Sequence, residues 1–190
     1  QMRALYEEVV QRVMQGEDPT DAMLAVMLKD FDPNAKDFYK QMMRNLLKYK
    51  SPADAMVWKV PVQEGVTVEE VKESMKSLAS GMNLLHVSES PFYKQAEAVT
   101  GKPYRHMVFM SFCDVRTGMK MADYNNAFTA MMPCTISLVE HEDKSLWLYA
   151  INVDIMIYGG APLPADLKES ALTVRNKLRR IMEGAANGEF

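Results

Sequence analysis

Cysteine is nearly absent from this chain: Cys113 and Cys134 are the two copies in 190 residues. Two thiols without C-x-x-C spacing exclude a disulfide scaffold and a zinc ribbon. Histidine is almost as scarce. His86, His106 and His141 are spread along the chain with no H-x-x-x-H spacing of the kind that holds a metal. Positive charge is not in excess: the net charge is −3, which argues against general nucleic-acid binding. No apolar run approaches about 18 residues, so no transmembrane helix is visible. There is no G-x-S-x-G and no glycine-rich phosphate-binding spacing, and Gly159-Gly160 reads as an isolated loop pair. Glu69-Glu70 and Glu142-Asp143 read as surface charges at a helix start and a turn. No catalytic constellation emerges, and no residue is assigned a catalytic role.

What is abundant is methionine, with 17 residues, in a chain that is 48% hydrophobic and 25% charged. That balance is the mix of a globular protein with an ample core. Most of the methionines sit at helical core spacing, where thioethers fill irregular gaps. The alternative is soft-metal handling, since thioethers suit Cu(I).

The first 50 residues read as helix. Leu5, Val9, Val13 and Met14 form one stripe, closed by Gly16. Pro19 opens a second helix containing Ala22, Leu24, Val26 and Met27, broken by Asp32-Pro33. A third spans residues 34–49, with Phe38, Met42, Leu46 and Tyr49 on one face. Short amphipathic helices need a surface to pack on. Leu5, Val9, Leu24, Met27, Phe38, Met42 and Leu46 are the positions expected to be buried.

Ser51-Pro52 marks a boundary, dividing a helical extension (1–50) from a main domain (51–187). Residues 56–62 read as a strand, and Pro61 hints at a sheet edge. Thr67-x-x-Glu70 is a capping box for a helix with the stripe Val68, Val71, Met75, Leu78 and Met82. Residues 84–87 make a short strand, and a helix runs from Pro91 to Gly101. Residues 105–113 are apolar on both faces, as in a central strand covered on both sides. A helix is expected over 121–131. Residues 134–142 alternate, with Cys134, Ile136 and Leu138 on one face and Thr135, Ser137 and His141 on the other. Glu142-Asp143-Lys144 turns the chain into a strand over 146–153. A final helix spans 164–183. One secure hairpin implies antiparallel pairing. The fold class is therefore α+β: a two-layer sandwich of a mainly antiparallel or mixed sheet on helices, with an all-helical N-terminal extension.

This order of elements resembles the family called domain of unknown function 302, over about residues 55–185. Tyr104-Arg105 opens the apolar strand as a Pro-Tyr-Arg-like start does in that family. Cys113 stands where it often has Cys-Asn-Pro, although Asn-Pro is absent here. Met131-Met132-Pro133-Cys134 resembles its Leu-Pro-Cys, and Asn152 to Met156 resembles its Asp-Pro-x-x-Met. The resemblance implies a small α+β fold that tends to dimerise. It implies no established reaction.

Two groups of residues are candidates for a site. A ligand pocket between sheet and helices is expected to be lined by Met110, Phe112, Met119, Tyr124, Met131 and Met132, with Cys113 and Cys134 near its rim. A metal site would draw on His106, Cys113 and Cys134. His106 and Met107 are possible copper or haem ligands, yet strand neighbours point to opposite faces. The thiols are buried small hydrophobes or a reactive pair. A parallel crossover would hold them a strand length apart, about 17–20 Å. A disulfide needs Cα atoms within about 7 Å, so only an antiparallel arrangement would bring them together. The basic group Lys168, Arg175, Lys177, Arg179 and Arg180 is a solvated face or a docking surface for an acidic partner.

The expected function is a homodimeric, non-catalytic accessory protein that binds a small ligand or a protein partner and no nucleic acid. No cofactor is required. The alternative is a periplasmic copper- or haem-handling protein, and a redox enzyme working through Cys113 ranks third. The start at Gln1 suggests a mature product after signal-peptide removal, hence a periplasmic or otherwise extracytoplasmic place, with the cytoplasm as the alternative.

Overall fold

A computed structural model describes residues 2–190. Gln1, which carries the expectation about compartment, lies outside the described residues. The chain forms two units: one comprises the residues up to Ala55 with Val153–Pro164, the other Met56–Asn152 with Ala165–Phe190.

The first unit is helical. It contains α1 (Met2–Met14), α2 (Pro19–Met27), α3 (Ala35–Tyr49) and most of α4 (Pro52–Met56). Asp18 starts α2 by accepting hydrogen bonds from the Thr20 and Asp21 N–H groups at 3.0 and 3.1 Å, with Pro19 in the first turn. Asp32, only 2% exposed, accepts from the Asn34 N–H and side-chain amide at 2.9 and 3.1 Å. The Gly159-Gly160 loop is stitched to this unit. The Asp32 N–H donates to the Gly160 carbonyl at 2.8 Å, and the Tyr39 hydroxyl donates to that of Gly159 at 2.7 Å.

The burial expected of these helices is largely not found. Of the seven stripe residues only Leu24 is buried; Met27 is 60% exposed, and Leu5, Val9, Phe38, Met42 and Leu46 are half-buried. Helix α1 buries no residue, and α3 buries only Ala35. Spacing marks which face is apolar but not what covers it.

The second unit carries a five-stranded sheet in the order β1-β5-β4-β3-β2. The strands are β1 (Val57–Pro61), β2 (Leu85–Ser90), β3 (Met107–Cys113), β4 (Cys134–Glu140) and β5 (Leu146–Ile151). Every pairing is antiparallel. Pro61 ends an edge strand, where its missing N–H costs no ladder bond. One register row runs Trp58, Ala150, Ile136, Met110, Glu89. Both ends of that row meet helices. The Arg179 guanidinium of α9 (Ala165–Ala186) lies 4.6 Å from the Trp58 ring centroid. Lys72 of α5 (Val68–Gly81) pairs with Glu89 at 2.9 Å. This face of the sheet is the core: Val108, Met110, Phe112, Ile136, Leu138 and Leu148 are buried there. Val71 and Met75 of α5 and Leu178 and Ile181 of α9 are buried with them. Each such side chain contributes about 1.5–3 kcal/mol. The Thr67–Glu70 capping box starts α5 as the sequence predicts.

Four elements differ from the sequence reading. Strand β2 continues to Ser90 across a bulge between His86 and Ser88. The helix expected over 121–131 is instead α7 (Val115–Tyr124) followed by a 3-10 turn (Asn126–Met131). The reason is Asp114, whose carboxylate accepts from the Thr117 N–H at 3.1 Å and starts the helix early, enclosing Gly118. A short α8 (Asp154–Tyr158) precedes the Gly-Gly loop. Strand β3 is fully covered on the helix face; on the other face Ser111 is buried, while Phe109 and Cys113 are half-buried. The Pro91 helix, α6 (Phe92–Thr100), ends in a left-handed Gly101.

Candidate functional site

The face of the sheet turned away from α5 and α9 carries a different chemistry. Side chains alternate along a strand, so residues between the core positions share this second face. One register row brings Ser88, Ser111 and Thr135 together, and the next brings Ser90, Phe109, Ser137 and Tyr149. A groove of about 620 Å³ lies over them. Ser88, Ser111, Thr135, Ser137 and Tyr149 give it hydroxyls, and Val57 and Ile151 give it apolar floor. The segment Ala130, Met131, Met132 and Pro133 lines it as well. The Ser111 and Thr135 hydroxyls share a hydrogen bond at 3.0 Å. Tyr149 continues into a stack on the same face. Its hydroxyl lies 2.8 Å from His141 Nε2, and the His141 and Trp147 rings are nearly parallel, 8° apart at 5.5 Å.

The predicted pocket residues fall into three settings. Met110 and Phe112 are sealed in the core with 0% exposure. Met119 and Tyr124 stand exposed on α7. Met131 and Met132 do line a cavity, but it is the groove on the other face. The sequence predicts a pocket between sheet and helices, where the α5–α9 layer and the buried Met110 and Phe112 fill the space. The signal for the real groove was present in the alternation of Thr135 and Ser137 with Ile136 and Leu138, and in Ser111 interrupting an apolar run.

The two cysteines sit on neighbouring strands, because β3 and β4 are antiparallel, with their side chains turned to opposite faces of the sheet. Phe112 pairs with Cys134, so Cys113 is one residue away across a single strand spacing. Both cysteines are free and half-buried. Burial first, and then the neighbouring Cys113, push the Cys134 thiol up to about 11. Burial and then the Asp114 carboxylate raise Cys113. Burial would also raise Asp114, but the Thr117 N–H and Lys177 at 3.3 Å outweigh it, and its carboxyl titrates below the usual range.

His106 does not join them. It precedes the seven-residue β3 while Cys113 ends it, about 23 Å away at strand rise. It stacks on Tyr93 at 4.4 Å, its Nε2 is buried without a hydrogen-bond partner, and burial lowers its pKa. The metal set His106, Cys113 and Cys134 therefore does not converge. Among the described residues no three His, Cys, Asp or Glu side chains form a metal-binding group. Within the basic group, Lys177 pairs with Asp114, Arg179 covers Trp58 and Arg180 pairs with Glu189. Among the described residues no helix is long and apolar enough to cross a membrane.

Comparison with known proteins fits this architecture. The model of the family described as domain of unknown function DUF302 matches residues 58–185. The chain belongs to the DUF302 family. A solved structure, the crystal structure of an uncharacterized conserved protein DUF302 from Bacillus stearothermophilus, is similar with a TM-score of 0.54 at 14% identity. The similarity covers 67% of this chain and 95% of that one, and it shows the fold. No curated protein matches the chain. The DUF302 match takes in the whole groove except Val57, and it leaves α1 to α4 outside.

Proposed function

We propose that this DUF302 protein is a non-catalytic, homodimeric accessory protein that binds a small molecule or a partner segment in the groove across its open sheet face. The observation that carries this reading is the groove itself. Its floor offers paired hydroxyls as donors and acceptors, and Met131 and Met132 offer an adaptable apolar wall, the mix that fixes and buries a small ligand. Ser111 and Thr135 bond to each other rather than to a base, which suits recognition better than nucleophilic attack. The dimer is supported by the exposed apolar surface of the N-terminal helices, where Met23, Met27, Met43 and Leu47 are each at least 44% exposed.

The test is a crystal structure of protein purified from its source, with its mass in solution measured by light scattering. The expected result is density over Ser111, Thr135 and Ser137 in a dimer. A monomer with only solvent in the groove would overturn both parts of the reading.

A further inference from the structure

The groove on the open face has a direction. Val57 pairs with Ile151, and Ser88 pairs with Ser111, which pairs with Thr135. Thr135 and Ile151 both lie one step along from the Ile136–Ala150 pair. One line of side chains, Val57, Ile151, Thr135, Ser111 and Ser88, therefore crosses all five strands. Four strand spacings make that line about 19 Å long, and the next row, with Tyr149 and Ser137, lies about 7 Å away. The β1–β5 end of the line is aliphatic and the β4–β2 end carries hydroxyls. None of the lining residues is charged, and all belong to the second unit. A lysine on the same face, Lys59, is exposed on the edge strand β1, beside the aliphatic end rather than the hydroxyl end.

We propose that the groove binds an uncharged straight-chain amphiphile. Its chain lies over Val57 and Ile151, and its alcohol head lies over Thr135, Ser111 and Ser137. This inference rests on the groove being the binding site and adds the chemical class of the ligand. In the Ser111–Thr135 pair one hydroxyl donates to the other. One O–H is left free to donate, and both oxygens keep lone pairs that accept. An alcohol head, which donates and accepts, satisfies that set. A carboxylate or phosphate head would be desolvated with no cation among the lining residues, which is costly. At the other end, Val57 and Ile151 offer no side-chain hydrogen bond, so a ligand polar throughout would leave groups unpaired there. The long, narrow outline suits an unbranched chain, against which the flexible Met131 and Met132 thioethers can settle.

The test is calorimetric titration of the full chain with straight-chain primary alcohols from hexanol to decanol. Octanoate is the charged probe, and octanediol with a hydroxyl at each end is the probe without an apolar end. Affinity should rise about two- to fourfold per added methylene. Octanoate and the diol should each bind at least tenfold more weakly than octanol. Ser111→Ala with Thr135→Val should weaken octanol at least fivefold, and Thr135→Val alone replaces this pair where the double variant fails to fold. Ile151→Thr, with circular dichroism unchanged, should weaken decanol more than hexanol. Octanoate binding as tightly as octanol would overturn the proposal, as would equal octanol affinity in wild type and hydroxyl variants. Ser137→Trp separates this claim from the groove itself. Alcohols that bind wild type and Ser137→Trp equally sit elsewhere and overturn the proposal. If no alcohol binds, but a charged molecule from the source occupies the wild type and not Ser137→Trp, the ligand class fails and the groove stands. If neither binds, both fail.

Discussion

Cys134 and Glu89 show how single positions set the chemistry of this molecule. Burial holds the Cys134 thiol neutral up to about pH 11, above its ordinary 9.0. A thiol raised on folding stabilises the native state below its ordinary pKa, and that stability is lost as pH climbs toward the raised value. The melting temperature should therefore fall more steeply between pH 9 and 11 in the wild type than in Cys134→Ala, as thermal scans across that range would show. Alkylation at pH 8 should modify Cys113 well before Cys134, which peptide mass mapping reads directly. Glu89 has the opposite sign. Burial would raise its carboxyl, but hydrogen bonds from Lys72 and Lys76 lower it overall. Its stabilisation is present above the ordinary carboxyl range and lost as pH falls through the lowered value. Glu89→Gln should cost about 1 kcal/mol at pH 7, since the pair is partly solvated. The two proteins should converge in urea titrations once the pH falls below that lowered value. The sequence showed both thiols but not their proximity. Whether Cys113 and Cys134 meet depends on strand direction and register, and no local residue pattern encodes those.

At the scale of elements, strands were more legible than the helices between them. Alternation of Ile136 and Leu138 with Thr135 and Ser137 marks β4 directly, and Glu142-Asp143-Lys144 marks its turn. Helix α7 starts earlier than the sequence predicts: Gly118 reads as a breaker, whereas the Asp114 cap and the packing around Gly118 hold it inside a helix. Replacing Asp114 by Ala should destabilise the protein by about 1 kcal/mol through loss of that cap, measurable by chemical denaturation. The N-terminal helices were legible as amphipathic but not in what covers them. Their exposed apolar residues support an assembly surface. Met27→Glu with Leu47→Glu should leave the melting temperature within a few degrees and shift the light-scattering mass to that of a monomer. An unchanged dimer would remove these helices from the interface.

For the whole molecule, the sheet divides the second unit into a face that the α5–α9 layer covers and a face that carries the groove. The first follows from the α5–α9 layer. Leu148, wholly buried opposite Leu138, should cost about 2–5 kcal/mol when cut to Ala. The fold class was readable because apolar periodicity and one sure hairpin restrict the layer arrangement. The groove's place was not, because pattern alone does not say which face the helices take. Ligand binding on the second face is tested by native mass spectrometry of source-purified wild type beside Ser137→Trp. Ser137 lies in the groove and outside the core, so the indole should fill the cavity without unfolding the sheet. The wild type should carry a bound mass that is absent from the folded variant. The same bound mass on both proteins would contradict it, and so would none on either.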